Sequence, residues 1–250
     1  MQRPPLTINA WLRYDLVARL LAGLDDVESV LEVGAGQGAF GVRLAERYRY
    51  VGLEPDPRSF ARALDRFQRA GVGTVVCGDL DQLAGASTFD LVCAFEVLEH
   101  FEDDVAALRS WRACLRTGGW LIASVPAFER QFGPWDRKAG HHRRYERSGL
   151  AVVLREAGFE PVSIETYGFP LGSVLEAARN VVARLGQAQG SAAERTAASA
   201  GLLQPPEKLG WLTQALSAPG RALQRPFCAT ERGTGLVVLA RERGMVGPAH

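Results

Sequence analysis

The chain has 250 residues, 47% of them hydrophobic and 23% charged, with a formal net charge of +1. That length can bury one substantial core, as expected for a single α/β domain with an insertion. Near-neutral charge argues against a dedicated nucleic-acid binder, which usually shows a basic excess. No uncharged apolar stretch reaches the ~18 residues of a membrane span, and Met1 to Asp15 lack the apolar run of a secretory signal. The four cysteines, Cys77, Cys93, Cys114 and Cys228, form no CxxC pair. Three lie in apolar patterns, so reduced core thiols in a cytoplasmic protein are expected.

In chain order, Ser29 to Val33 reads as a short strand that stops at glycines, and Phe40 to Tyr48 as a helix. Tyr50 to Glu54 is a second strand, followed by a helix from Pro57 towards Ala70. Thr74 to Cys77 and Asp90 to Phe95 are the third and fourth strands, the latter nearly all apolar, as buried parallel strands are. Ala106 to Leu115 is a helix ended by Thr117-Gly118-Gly119, and Trp120 to Val125 a fifth strand closed by Pro126. Alternation of strand and helix implies a parallel sheet with right-handed crossovers. Beyond Pro126 a long aromatic and basic loop runs to Tyr145. A helix (Ser148 to Ala157), a strand (Pro161 to Thr166) and an apolar-faced helix (Leu171 to Leu185) follow. Gln187 to Pro206 looks loosely ordered, Glu207 to Leu223 is helical, and Gly235 to Ala240 is a final strand.

The chemistry starts at Glu32-Val33-Gly34-Ala35-Gly36-Gln37-Gly38. Glycines at a strand-to-helix turn let the backbone approach a ligand, because no Cβ intervenes. Alone, this turn also fits a dinucleotide site, since Ala39 follows at the third glycine position and Glu54 lies at the end of the next strand. An NAD-dependent oxidoreductase therefore stands as an alternative, as does a noncatalytic cofactor-binding protein. Glu32 and Asp79 favour a different ligand. A dinucleotide site has an apolar residue at the first position, and Asp79 is placed to take an exocyclic amine. From Asp79 to Asp104 there are eight acidic residues and no Lys or Arg, a field suited to a cationic ligand.

Leu31 to Gly38, Gly52 to Asp56, Gly78-Asp79, Phe89 to Val92 and Leu115 to Gly119 resemble the ordered motifs of class I S-adenosylmethionine-dependent methyltransferases, over about residues 28–126. Ala35 stands where several relatives have Cys. Glu96 to His100 resembles the branch that includes ubiquinone-biosynthesis and other small-molecule O-methyltransferases. Trp11 to Asp15 resembles the N-terminal helix that covers the cofactor, so Tyr14 or Arg13 is expected to touch it. The resemblance implies a Rossmann-like, seven-stranded, mostly parallel sheet with helices on both faces and an antiparallel last strand. It implies that Gly34 and Gly36 face the methionine part of the cofactor, Glu54 the ribose and Asp79 the adenine. The expected cofactor set is completed by Tyr14, Glu32, Ala35, Gly38, Pro55, Leu80, Phe95 and Glu96.

A basic segment, Asp136 to Tyr145, follows the fifth strand, and its Gly-His-x-Arg-Arg-Tyr pattern resembles a lid found in a subgroup of these methyltransferases. His141, with His142 behind it, is the expected base, since imidazole titrates near neutrality. His100, Arg143, Arg144 and Tyr145 are the expected acceptor contacts, an arginine fork being suited to a carboxylate or phosphate. No local spacing of His and Cys suggests a metal. The expected organisation is one domain: a cap helix over 1–27, a cofactor core over 28–126, a lid over 127–147, a helical insertion over 169–232 and a last strand over 233–243. A small-molecule acceptor, no nucleic-acid partner and a monomer or homodimer complete the expectation. The expected reaction is methyl transfer to oxygen, ahead of nitrogen.

Overall fold

The structure, a computed structural model, describes residues 3–83, 88–185, 206 and 210–244. Its sheet has seven strands: β1 (Ser29–Val33), β2 (Arg49–Glu54), β3 (Thr74–Cys77), β4 (Phe89–Phe95), β5 (Leu115–Pro126), β6 (Phe159–Tyr167) and β7 (Gly235–Glu242). Their order is β3-β2-β1-β4-β5-β7-β6, and β7 runs antiparallel to both of its neighbours. The expected Rossmann-like architecture is the one observed. The central strands are apolar on both faces because helices cover both, and Val30, Leu31, Leu91 and Val92 are fully buried.

Helices α1 (Ile8–Leu21), α2 (Gly41–Ala45) and α3 (Pro57–Ala70) precede β4, and α4 (Asp104–Ala113) leads into β5. Thr7 caps α1 by accepting from the Ala10 amide, and Asp56 caps α3 by accepting from Ser59. Gly71 ends α3 in the left-handed conformation. The expected helix from Phe40 to Tyr48 shortens to α2. Thr117 to Gly119 belong to β5 instead of a helix end, because Leu115 already pairs with Phe89 across an irregularity in β4.

The lid is more ordered than a loop. It holds the short helix α5 (Pro134–Ala139) and a bridge between Ala127 and Tyr145 before α6 (Arg147–Glu156) begins. Among the described residues two α-helices, α7 (Leu171–Leu185) and α8 (Gly210–Gln224), stand between β6 and β7. The stretch from Gln187, expected to be loosely ordered, lies outside the described residues up to 205, as do 207–209. Gln224 ties the inserted helices to α1: its side chain accepts from the Gly168 amide (3.1 Å) and donates to the Leu12 carbonyl (3.0 Å). Of the four cysteines, all free, only Cys93 and Cys228 are buried, whereas Cys77 is exposed on edge strand β3. Among the described residues no helix is long and apolar enough to cross a membrane.

Candidate active site

Ligands of open α/β sheets sit beyond the carboxyl ends of the strands. Gly34, Glu54, Asp79, Glu96, Ala127 and Tyr167 end or follow β1 to β6 in turn, so the candidates Gly34, Glu54, Asp79 and Glu96 gather on that one edge. The opposite edge has a cleft lined by Asp26, Ser29, Asp90 and Arg116. It is closed by ion pairs, Asp90 with Arg116 at 2.7 Å and Arg116 with Asp26 at 2.9 Å.

The glycine turn is shaped from below. Gly36, at φ +56°, donates its amide to Glu54 Oε2 (2.7 Å), and the Asp56 amide bonds Oε1 (2.9 Å). Burial raises the Glu54 pKa despite these two donors. A Cβ added at Gly36 would meet nothing within 4 Å, so this backbone faces open space. Ala35 is buried, its amide bonded to the Leu53 carbonyl, and Gly38 closes the turn onto the Ala35 carbonyl. Glu32 does not face that space. It is 2% exposed and accepts from Tyr50 Oη (2.6 Å), and burial, against this bond, pushes its pKa up to about 8. A Cβ on Gly41 would stand 2.2 Å from Tyr50 Oη and 2.9 Å from Glu32 Oε2, so only glycine admits the pair. Asp79 and Pro55 are exposed, and half-buried Leu80 opens a short 3-10 turn.

At the end of β4, Glu96 takes φ +59°, a conformation that costs a non-glycine residue about 1–3 kcal/mol. Its partners hold it there. Ser124 Oγ (2.9 Å) and Tyr167 Oη (3.1 Å) donate to Oε1, and Arg13 pairs with the same oxygen at 3.3 Å. Burial would raise the Glu96 pKa, but Arg13, Ser124, His141 and Tyr167 outweigh it and hold it below the usual value. Arg13 also lies over the rings of Phe40 and Phe95, and Tyr14 meets Phe40 edge-on at 4.9 Å. Helix α1 thus reaches the site through Arg13 as well as Tyr14.

The lid brings a second cluster together. Asp136 is fully buried and bonded to His141 Nδ1 (2.9 Å), the Gly133 amide (2.7 Å) and Arg144 Nε and Nη2 (2.9 and 2.8 Å). Burial would raise its pKa, but these donors bring it down to about 2, so it is ionised. An ionised Asp136 can only accept, which places a proton on His141 Nδ1 and leaves Nε2 for other work. That Nε2 lies 3.8 Å from Glu99 Oε1, and the rings of His141 and His100 meet edge-on at 4.9 Å. Burial and His141 push the His100 pKa down to about 4. Burial, with the nearby Glu96 charge, pushes Glu99 well up. His142 is exposed, and its backbone amide bonds the Glu99 carbonyl.

Three lid residues expected to hold an acceptor are engaged within the protein instead. Arg144 is 6% exposed and clasped by Asp136 and Glu176. Tyr145 donates to Asp104 (2.9 Å), and Arg143 pairs with that carboxylate (3.0 Å) and the Glu102 carbonyl. The acidic run is divided as well. Asp90 faces the far edge, Asp103 caps α4 and Asp104 takes the lid, so sequence contiguity does not make one negative wall. Ser124 and Tyr167 were not singled out in the sequence, and Glu99 and Asp136 were given no role there, although both lie in segments that it marked, Glu96 to His100 and Asp136 to Tyr145.

The family model described as methyltransferase domain matches residues 8–164. A probable S-adenosylmethionine-dependent methyltransferase of Mycolicibacterium smegmatis is 30% identical over 162 residues, covering 61% of this chain and 60% of the relative. The ubiquinone biosynthesis O-methyltransferase of Methylocella silvestris is 33% identical over 99 residues, 38% of this chain and 39% of that protein. The N-methyltransferase NodS from Bradyrhizobium japonicum WM9, solved with S-adenosyl-L-homocysteine, superposes with a TM-score of 0.53. It is 20% identical and covers 93% of this chain and 86% of its own, a likeness of fold. The chain spans about 60% of the length of the first of these relatives. With the family model covering most of the chain and the sheet carrying the antiparallel last strand, the protein belongs to the methyltransferase domain family, with the fold of the class I S-adenosylmethionine-dependent enzymes.

Proposed function

We propose that this protein transfers the methyl group of S-adenosylmethionine to an oxygen of a small acceptor, with His141 receiving the acceptor's proton. The observation that carries the base is the Asp136–His141 pair, which fixes the tautomer and turns Nε2 towards the edge occupied by Glu96 and Glu99. The ubiquinone O-methyltransferase relative supports oxygen over nitrogen. In this reading the glycine turn cradles the methionine part, Glu54 takes the ribose hydroxyls and Asp79 the adenine amine. Tyr14, Phe95 and Leu80 supply apolar contact, and Arg13 with Glu96 borders the methyl.

The cofactor supplies a sulfonium methyl that is already activated. The chain's own work is therefore to align the acceptor oxygen with that methyl and to take one proton at Nε2. Alignment can contribute ~7–11 kcal/mol, and a positioned base about 10²–10⁴-fold in rate. His142 is second in line because it is exposed, whereas the His141 ring is held by Asp136. Incubation with labelled cofactor and a metabolite extract, read by mass spectrometry, identifies the methylated acceptor. With that acceptor, His141→Ala is expected to lower turnover by about 10²–10⁴-fold. Unchanged turnover would remove His141 as base. Calorimetric binding of NAD without binding of S-adenosylmethionine would overturn the cofactor assignment.

A further inference from the structure

A fully buried carboxylate with no partner for either oxygen needs an explanation. Glu99 is 0% exposed, and neither Oε1 nor Oε2 has a hydrogen-bond partner. Each such uncompensated atom costs about 1–3 kcal/mol. Facing it are His100 and His141, and one donor atom from each of the three residues lies within 4.8 Å of the others. The His141 ring is held from behind: Asp136 accepts from Nδ1, which keeps Nε2 for the centre of the cluster, and the His100 ring meets it edge-on at 4.9 Å. Metal-binding histidines are oriented by outer carboxylates in this way.

We propose that Glu99, His100 and His141 form a binding site for one divalent first-row transition ion. Two imidazole nitrogens and one carboxylate are a donor set suited to zinc, cobalt or iron(II), with coordination positions left open. Donors at about 2.1 Å from a tetrahedral ion stand roughly 3.4 Å apart, so a small closure of these side chains completes the set. The ion gives the Glu99 oxygens a close partner, where the nearest ring nitrogen, His141 Nε2, stands at 3.8 Å, beyond hydrogen-bond distance. It also joins the 3-10 turn after β4 (Leu98–His100) to the lid after α5, two segments that otherwise meet through the His142 amide on the Glu99 carbonyl. Bound ion and free base are alternative uses of His141 Nε2, but the site itself is read from equilibrium binding. It therefore stands or falls independently of methyl transfer.

The test is a titration of the metal-stripped, tag-free full chain with Co²⁺, followed by its d–d absorption and by calorimetry. One ion per chain is expected, displaced by Zn²⁺. Glu99→Gln and His100→Ala should each weaken binding roughly tenfold or more, while His142→Ala leaves it within about twofold. S-adenosylmethionine binding and far-ultraviolet circular dichroism report whether the variants fold. Should they fail to fold, X-ray absorption of the Co²⁺-loaded wild type decides, two imidazoles and no sulfur being expected. Absence of stoichiometric binding, affinity indifferent to both substitutions, or sulfur ligation would overturn the proposal.

Discussion

Burial beneath the glycine turn leaves Glu32 with one hydroxyl partner, Tyr50, and raises its pKa to about 8. The folded protein therefore holds a proton that the unfolded chain releases near pH 4.3. The stability this supplies is complete below about pH 4 and is lost as the pH rises towards about 8. Glu32→Gln keeps the shape and removes the titration. Urea denaturation between about pH 5 and 8 should show wild-type stability falling with a slope that the variant lacks, up to about 1.4 kcal/mol per pH unit. Equal slopes would refute the assignment. The sequence placed an acid at this position but not its direction. A strand residue points to one face or the other according to tertiary packing, and here that face holds Tyr50 and Gly41.

At the scale of elements, strand and helix order was legible because buried parallel strands are continuously apolar and end at Gly, Pro or Asp. The helices that frame the site are joined by a contact with no sequence signature. Gln224 sits 1% exposed at the end of α8, with its amide oxygen on Gly168 and its nitrogen on Leu12. Gln224→Leu leaves both groups without this partner, at a cost of about 1–3 kcal/mol. Hydrogen exchange should show α1 and α8 losing protection together while β1 and β4 keep theirs. Unchanged protection in α1 would contradict this coupling. The lid follows the same logic. Its basic pattern was plain, but only folding showed that Arg144 is enclosed by Asp136 and Glu176, beyond the reach of an acceptor.

Across the whole molecule, the two edges of the sheet do different work. The amino edge is stapled by Asp90, which accepts from Ser29, the Glu28 amide and Arg116. Although burial acts to raise it, these donors hold its pKa well below the ordinary value. The stability from a depressed carboxyl is present above about pH 4 and lost as pH falls. Asp90→Asn should cost about 1–3 kcal/mol at pH 7, and the difference should shrink in acid. Its affinity for S-adenosylmethionine, measured by calorimetry, should match wild type. A loss of affinity would mean that the two edges are coupled.

The sequence by itself determined the succession of strands and helices along the chain, the glycine turn and the acids that follow the strands. Those signals lie within a few residues of one another and reflect local backbone geometry and burial. Tertiary structure alone decided which charges remain available. Asp136 meets His141 across one turn of lid, Glu99 meets that histidine from another segment, and Asp90 is drawn to the far edge. Charge pairing depends on distance in space, and 3.8 Å between Glu99 and His141 is invisible in a chain where they stand 42 residues apart, residue 141 less residue 99.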